Sequence, residues 1–245
     1  MSEAEDFLIG ALRALPPRPS ETASATEKKR YSEILSQQVA LGFARELRRR
    51  GLAEARPAPP GGPGDSGAER RMAGGIGAKK VDVTWATEEA GLLLAISVKS
   101  INFKDAKTGN YQKNLTNRRG DMLFEAVTLH RRFPYSVLGG FFFFDQGAEA
   151  DTTETRRSTF LNAHRRFQLF TGRNDPAGRD EQFERLYIAL HDPDPLSPRV
   201  RIFLAGLPDQ EISLPEAFDD LIDLVALRNP DHYEVVNGKL KKLRQ

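Results

Sequence analysis

The sequence predicts an α/β protein, because helical segments alternate along the chain with apolar segments of strand length. A long helix is predicted over residues 27–50, and it is followed by strands, a second helix and a further strand. Residues 135–144 form an apolar run that contains Phe141, Phe142, Phe143 and Phe144. Such a run is typical of a strand that is buried on both faces, as in sheets covered by helices.

Composition limits the class of protein. The 245 residues suit one domain of medium size, and the net charge is +2. The sequence contains no cysteine, which excludes disulfides, zinc ribbons and thiol catalysis and is compatible with a cytoplasmic protein. It also has no apolar run of the length that a membrane span requires, so a membrane partner is not expected.

The first third of the chain is predicted to contain one long helix between two irregular segments. Residues 1–26 are interpreted as a short helix and a flexible leader. The helix over 27–50 places Tyr31, Leu35 and Val39 on one side, with Thr26 as its expected N-cap. Residues 51–71 are rich in Pro and Gly and are predicted to form a loop.

Strands are predicted over residues 72–86 and 92–100, joined by a polar turn. Side chains alternate along a strand, so Ser97 and Lys99 point to the same face, and Asp82 on the neighbouring strand can converge with them. Aspartate binds divalent cations, and a lysine beside it can orient water and stabilise charge on phosphate. The combination indicates metal-assisted phosphodiester hydrolysis. The alternative is a buried strand whose Lys99 extends from the sheet edge to solvent.

The remaining elements follow in order. Residues 102–117 are polar and are predicted to form a loop, and the next helix is expected over 120–132, ending before Phe133-Pro134. After the buried strand at 135–144, a helix is predicted at 157–170, strands at 185–191 and 199–205, and a helix at 214–227 that begins with Ser213 and Pro215.

At Asp82, Ser97 and Lys99 the chain resembles the PD-(D/E)XK nuclease superfamily, which includes most restriction endonucleases. Asp82 matches the family's Asp and Lys99 its Lys, while Ser97 stands where the family usually has Asp or Glu. The resemblance covers residues 27–145. It implies a restriction-endonuclease-like αβββαβ core, with a mixed sheet flanked by helices. Residues 27–245 would then form one nuclease-like domain, with 146–245 as a C-terminal α/β extension.

The missing carboxylate has several candidate replacements. Some restriction endonucleases similar to this chain have Ser-x-Lys on the second strand and take the carboxylate from the following helix. Here that helix carries Asp121 and Glu125, four residues apart on one face, and Glu125 is preferred. The alternative is a solvated face with ion pairs to neighbouring arginines. From the first helix, Glu33 is preferred over Glu46 as a further ligand.

Nucleic-acid contacts are expected in the segment 110–119, because it mixes amides, hydroxyls and basic side chains that suit phosphates and base edges. The candidates are Lys113, Asn117, Arg118 and Arg119. Basic residues also cluster elsewhere, for example at Lys28-Lys29-Arg30. Phosphate backbones are bound by such local clusters, so the nearly neutral net charge does not exclude a nucleic-acid partner.

The resemblance therefore implies a Mg²⁺-dependent endonuclease, with Mn²⁺ as a substitute, that acts on double-stranded DNA in restriction or phage defence. Asp82 and Glu125 would hold the metal, Lys99 would orient water and stabilise charge, and Ser97 would hydrogen-bond within the site. A homodimer or a place in a defence complex is expected. Because Ser97 removes one expected ligand, a catalytically inactive nucleic-acid-binding or complex-assembly subunit with this fold is the alternative.

Overall fold

The computed structural model describes residues 2–59, 61, 70–192, 194 and 196–243. Two short 3-10 helices, Gln146–Ala148 and Gln168–Phe170, accompany its longer elements. In chain order these are α1 (Glu3–Arg13), α2 (Ala25–Arg49), β1 (Arg70–Ala73), β2 (Ala78–Val81), β3 (Val83–Thr87), β4 (Gly91–Ile101), α3 (Leu115–His130), β5 (Val137–Asp145), α4 (Thr159–Phe167), β6 (Arg185–His191), β7 (Val200–Leu204), β8 (Glu211–Ile212), α5 (Leu214–Arg228), β9 (Tyr233–Val236) and β10 (Lys239–Lys242).

A six-stranded mixed sheet forms the centre, in the order β3-β4-β5-β6-β7-β8. β4, β5 and β6 are parallel to one another, while β3 at one edge and β7 and β8 at the other are antiparallel to their neighbours. The parallel connections run through α3 and α4, as parallel strands require a crossover. The predicted α/β class, with a mixed sheet flanked by helices, is confirmed.

The phenylalanine run of β5 joins the two halves of the core. Phe141 and Phe143 pack on the face covered by α1, α2 and α5, whereas Phe142 and Phe144 pack on the face covered by α3 and α4. All nine residues of β5 are buried, as the apolar run predicts. Gly140 allows close packing in this strand, since a Cβ there would lie 2.6 Å from the Cε atom of Met122 on α3.

Several predicted boundaries are confirmed and others are wrong. β6 has the predicted bounds, and α5 begins at its Ser213 N-cap as expected. α2 is capped by Ser24 rather than Thr26, because the Ser24 hydroxyl and the Glu27 side chain form a reciprocal capping box. α3 starts at Leu115, five residues earlier than predicted, since the buried Leu115 extends the apolar face of the helix into the predicted loop.

The first helix packs against the core. Leu8 and Leu12 are 3% and 2% exposed, and they belong to the same cluster as Leu35 and Val39 of α2. This burial differs from the flexible leader expected for residues 1–26, because the amphipathic α1 finds an apolar partner in α2 that is not evident from its own sequence.

Two hairpins were not predicted. The single strand expected at 72–86 is divided into β1, β2 and β3, with a turn at 74–77 and a bend at Asp82. The basic C-terminal segment forms the β9–β10 hairpin. Part of the predicted loop at 51–71 lies outside the described residues. Within the described part of the chain, no helix is long and apolar enough to cross a membrane.

Candidate functional site

The candidate site lies where β4 extends beyond its antiparallel neighbour. β3 pairs with β4 as far as Ile96, whereas β5 pairs with it as far as Ile101. The last residues of β4 therefore border an opening at the carboxyl end of the parallel strands, the edge at which open α/β sheets usually bind ligands. Asp82 lies in the bend between β2 and β3, directly beside this opening.

Asp82 is held by the backbone of β4. Its Oδ2 atom accepts a hydrogen bond from the Val98 N–H at 2.7 Å and lies 3.4 Å from Lys99 Nζ. The Asp82 side chain thus accepts a hydrogen bond from a backbone N–H of β4 that lies beyond Ile96, the last residue of β4 that pairs with β3. The predicted convergence of Asp82 and Lys99 is confirmed. The prediction that Asp82 lies within a strand is wrong, because the chain changes direction at this residue, between the short strands β2 and β3.

Lys99 also contacts the carboxylate of α3. Its Nζ atom lies 3.8 Å from Glu125 Oε2, and the lysine side chain is 19% exposed. Burial acts to lower the pKa of Lys99, but the carboxylates of Glu125 and Asp82 outweigh it and raise that pKa. Lys99 is therefore a fixed cation that retains some exposure to the cleft.

Glu125 is a buried acid with a perturbed pKa. The residue is 4% exposed, and burial raises the pKa of its carboxyl to about 7. Lys99 opposes this rise, whereas the negative charge of Asp82 adds to it. A buried carboxyl next to a second carboxylate and a lysine is the type of environment that concentrates at functional sites.

Ser97 shares the face of Lys99, as strand alternation predicts. The residue is 1% exposed, and its Oγ atom makes no well-formed hydrogen bond to any described residue. The hydroxyl nevertheless lies near enough to Glu125 to lower the pKa of that carboxyl slightly. Because buried hydroxyls are normally paired, Ser97 has spare hydrogen-bonding capacity at the site.

A cleft of about 1030 Å³ opens above these residues, bounded by α2, β2, the end of β4, the segment 102–114 and α3. Asp82, Lys99 and Glu125 all line it. The cleft is predominantly cationic, since nine basic and five acidic side chains contribute to its wall. The basic residues are Lys28, Lys29, Lys79, Lys80, Lys99, Lys104, Lys107, Lys113 and Arg118.

The other candidate carboxylates are placed differently. Asp121 lines the cleft one turn before Glu125, but its side chain is 58% exposed and lies 3.9 Å from Arg118. Glu33 lines the cleft from α2, is also 58% exposed and pairs with Lys29 at 3.7 Å. Glu46 is 1% exposed and forms ion pairs with arginines near the end of α2, so it does not join the cleft.

The expected nucleic-acid residues divide into two groups. Lys113 and Arg118 line the cleft, whereas Asn117 and Arg119 are not part of its wall. The guanidinium of Arg119 lies 5.6 Å from the centre of the Phe170 ring. The division arises because these residues lie in or next to a helix, whose successive side chains point in different directions, and not in an extended loop.

Sequence reasoning missed Lys79, which lies on β2. Its Nζ atom is 4.5 Å from the centre of the Phe124 ring, and its charge lowers the pKa of Glu125. The pair Lys79-Lys80 is visible in the sequence, separated from Asp82 by Val81 alone. Its place beside the candidate site becomes evident only from the structure, in which both lysines of β2 line the cleft.

The donor set suits a hard divalent cation that is shared with a substrate. Within the described ranges, no group of three or more His, Asp or Glu residues is arranged to hold a metal. Asp82 and Glu125 nevertheless supply carboxylate oxygens that both lie within 4 Å of Lys99 Nζ. Mg²⁺ is commonly bound by one or two carboxylates together with substrate phosphate, so the two acids fit this ion when a phosphate completes the site.

No family model matches this chain, and no curated protein or solved structure shows significant similarity to it.

Proposed function

We propose that this protein is a Mg²⁺-dependent endonuclease of the PD-(D/E)XK type that hydrolyses phosphodiester bonds of double-stranded DNA. One observation carries the proposal: the Lys99 ammonium lies within 4 Å of both Asp82 and Glu125 in a cleft with a basic wall. In this proposal Glu125 supplies the carboxylate that Ser97 lacks.

Each residue at the site has a role that follows from its surroundings. Asp82 and Glu125 would hold Mg²⁺, which when bound polarises a phosphate oxygen and lowers the pKa of water. Lys99, kept cationic by the two carboxylates, donates to a nonbridging phosphate oxygen and stabilises the charge that develops on it. Ser97, whose hydroxyl makes no well-formed hydrogen bond in the described chain and lies beside Glu125, donates to an oxygen at the same point.

The basic wall of the cleft supports a polyanionic substrate. Duplex DNA carries a regular array of phosphates, and lysine and arginine side chains along a groove neutralise them whatever the base sequence. Lys28 and Lys29 on α2 and Arg118 on α3 border the cleft on two of its sides. A nucleic-acid backbone bound by these side chains would therefore occupy the cleft that Lys99 also lines.

A plasmid nicking assay tests the proposal. The purified protein is incubated with supercoiled plasmid in Mg²⁺, in Mn²⁺ and in EDTA, with Lys99→Ala purified in parallel to exclude a contaminating nuclease. We expect open-circular or linear product with either metal for the parent alone. Equal product from the parent and Lys99→Ala, or no product in either metal, would reject the proposal.

The second candidate is a nuclease-fold subunit that binds nucleic acid or assembles a complex without cleaving. Ser97 at the usual carboxylate position, and the lack of a three-ligand group among the described residues, favour it. DNA binding in EDTA without cleavage in Mg²⁺ or Mn²⁺ would support this candidate instead.

A role in restriction or phage defence extends the proposal. A single site of this kind, with one Lys99 and one pair of acids, cuts one strand at a time, whereas two copies of the chain would present one site to each strand of a duplex. We therefore propose a homodimer for double-strand cleavage. Sedimentation of the protein with and without duplex DNA tests this point, and a monomer that only nicks would contradict it.

A further inference from the structure

The segment 102–114, here called the lysine loop, joins the strand that carries Lys99 to the helix that carries Glu125. Lys104, Lys107 and Lys113 of this loop are exposed and line the cleft. The loop therefore adds three positive charges beside the candidate site, on the same stretch of chain that sets the position of α3 relative to β4.

Hydrogen bonds to Asp105 close the lysine loop on itself. The Asp105 Oδ1 atom accepts from the backbone N–H groups of Lys107 at 3.2 Å and Thr108 at 3.1 Å, and from the Thr108 hydroxyl at 3.2 Å. The backbone N–H of Asp105 donates to the carbonyl of Asn110 at 2.8 Å. Asp105 is 9% exposed, and its carboxylate hydrogen bonds are made within the loop, although the residue also contributes to the cleft wall.

Lys113 contributes to the same arrangement. Its ammonium forms an ion pair with the Oδ2 atom of Asp105. This contact, followed by the backbone hydrogen bonds to Thr108 and Lys107, holds the pKa of Asp105 down at about 2. Lys104 lies with its ammonium 5.8 Å from the centre of the Tyr111 ring, and Tyr111 is buried. The loop is therefore anchored at Asp105 and at Tyr111.

A closed loop of this kind has a specific advantage for binding. Ordering a flexible loop and its long side chains on association weakens affinity, whereas a loop that already has its bound conformation avoids most of that loss. Lysine ammonium groups bind phosphate as point charges and need no fixed orientation of a planar group. The lysine loop combines the two features, because its backbone is already held by internal hydrogen bonds and its exposed lysines can bind phosphate without a fixed orientation.

We propose that the lysine loop is a preorganised phosphate-binding element for duplex DNA, and that Asp105 is the positioning residue that maintains it. The inference rests on the proposed function, because it takes the cleft to be the DNA site. Lys104 and Lys107 contact backbone phosphates on one side of the bond to be cut. Asp105 acts through the loop and does not touch the DNA.

The first experiment measures the salt dependence of binding to a fluorescent duplex oligonucleotide by anisotropy, in EDTA so that no cleavage occurs. Lys104→Ala/Lys107→Ala is compared with Lys239→Ala/Lys241→Ala, which removes two exposed lysines of β10 outside the cleft. Each phosphate contact contributes about one to the slope of log Kd against log salt, so the loop variant should lower the slope by about two. The β10 variant should leave it unchanged, and equal slopes for both variants would overturn the proposal.

The second experiment separates loop geometry from charge. Asp105→Asn and Asp105→Ala remove the same negative charge, but the asparagine oxygen can still accept the hydrogen bonds of Lys107 and Thr108. Simple electrostatics expects both variants to bind DNA equally well. We expect Asp105→Ala to bind roughly tenfold more weakly than Asp105→Asn, because its lysines must be ordered on binding.

Thermal melting of both Asp105 variants verifies that the surrounding domain stays folded. Equal Kd values for the two folded variants would overturn the positioning role of Asp105. Tighter loop-dependent binding of an RNA duplex than of a DNA duplex would overturn the assignment to DNA. If the parent cleaves plasmid but the loop variants bind like the parent, the inference fails while the proposed function stands. If the parent does not bind DNA at all, both fail.

Discussion

The Lys99 ammonium lies 3.8 Å from the Glu125 carboxylate, although one residue belongs to a strand and the other to the following helix. The crossover from β4 through α3 to the parallel β5 returns Glu125 over the carboxyl end of β4. The same lysine lies 3.4 Å from Asp82. Three elements of the chain thus bring two acids and one base to a single point.

Replacing Lys99 by Ala should reduce Mg²⁺-dependent cleavage by roughly 100-fold or more, because loss of one donor that stabilises transition-state charge has that magnitude. DNA affinity in EDTA should change little, since the other basic residues of the cleft still bind the backbone. Asp82→Ala should likewise abolish cleavage. Single-turnover cleavage and anisotropy measure the two effects, and parental rates for both variants would place the chemistry elsewhere.

Glu125→Gln should lower Mg²⁺-dependent cleavage by at least about 100-fold, since even residues that only support a metal ligand contribute up to about that factor. Asp121→Asn is the matched control, because Asp121 lies on the same face of α3 but is 58% exposed and does not contact Lys99. We expect it to lose less than about fivefold. The reverse order of the two effects would move the ligand one turn along the helix.

The same Glu125→Gln change should stabilise the metal-free protein at alkaline pH. Burial raises the pKa of Glu125 to about 7 from 4.5, so the folded state favours the neutral acid. The contribution of this raised pKa to the free energy of unfolding is therefore fully present below pH 4.5 and is lost as the pH rises toward 7. The loss between these two pH values is about 3 kcal/mol. Urea unfolding in EDTA at pH 4.5 and pH 8 should show the variant gaining relative to the parent at pH 8. A difference that does not vary with pH would contradict the perturbed pKa.

Glu184→Gln should destabilise the fold without altering the cleft. Glu184 is fully buried and accepts hydrogen bonds from Arg173 at 2.9 Å and Arg228 at 2.7 Å. Removing its charge leaves two buried guanidinium groups without their counterion, which typically costs about 3–5 kcal/mol. Glu181→Gln, which removes an exposed ion pair with Arg179, should cost less than about 1 kcal/mol.

Urea unfolding at pH 7 compares the free energies of unfolding of Glu184→Gln and Glu181→Gln. The Leu138 N–H also donates to Glu184 at 2.6 Å, which places this cluster near the amino end of β5, the opposite end from the cleft. DNA binding by folded Glu184→Gln protein should therefore equal that of the parent. Similar stability losses for both variants would show that the buried cluster is not a major source of stability.

Periodicity determined most of the regular structure. The alternation of β4 placed Ser97 and Lys99 on one face, and the apolar run of β5 required a strand covered on both sides. Local hydrogen-bonding chemistry also predicted the start of α5 at Ser213. These features depend on neighbours within a few residues, so they can be read directly from the chain.

The tertiary structure decided which carboxylate joins Lys99. From the sequence Glu125 is preferred over Asp121, but helix periodicity alone places both residues on one face of α3 and does not separate them. The packing of Met122, Ala126 and Leu129 against the sheet turns Glu125 inward and leaves Asp121 at the rim. The rotation of a helix about its axis follows from its contacts with other elements, and those contacts are far apart in sequence.

The sequence by itself determined the α/β class, the pairing of Asp82 with Lys99 and the two candidate acids on α3. Only the tertiary structure decided that α1 joins the core, that Glu46 belongs to a buried ion-pair cluster, and that the lysines of β2, α2 and the lysine loop border one cleft. The physical reason is that local pattern specifies an element and its faces, whereas burial and charge clustering arise from contacts between elements that the chain brings together only on folding.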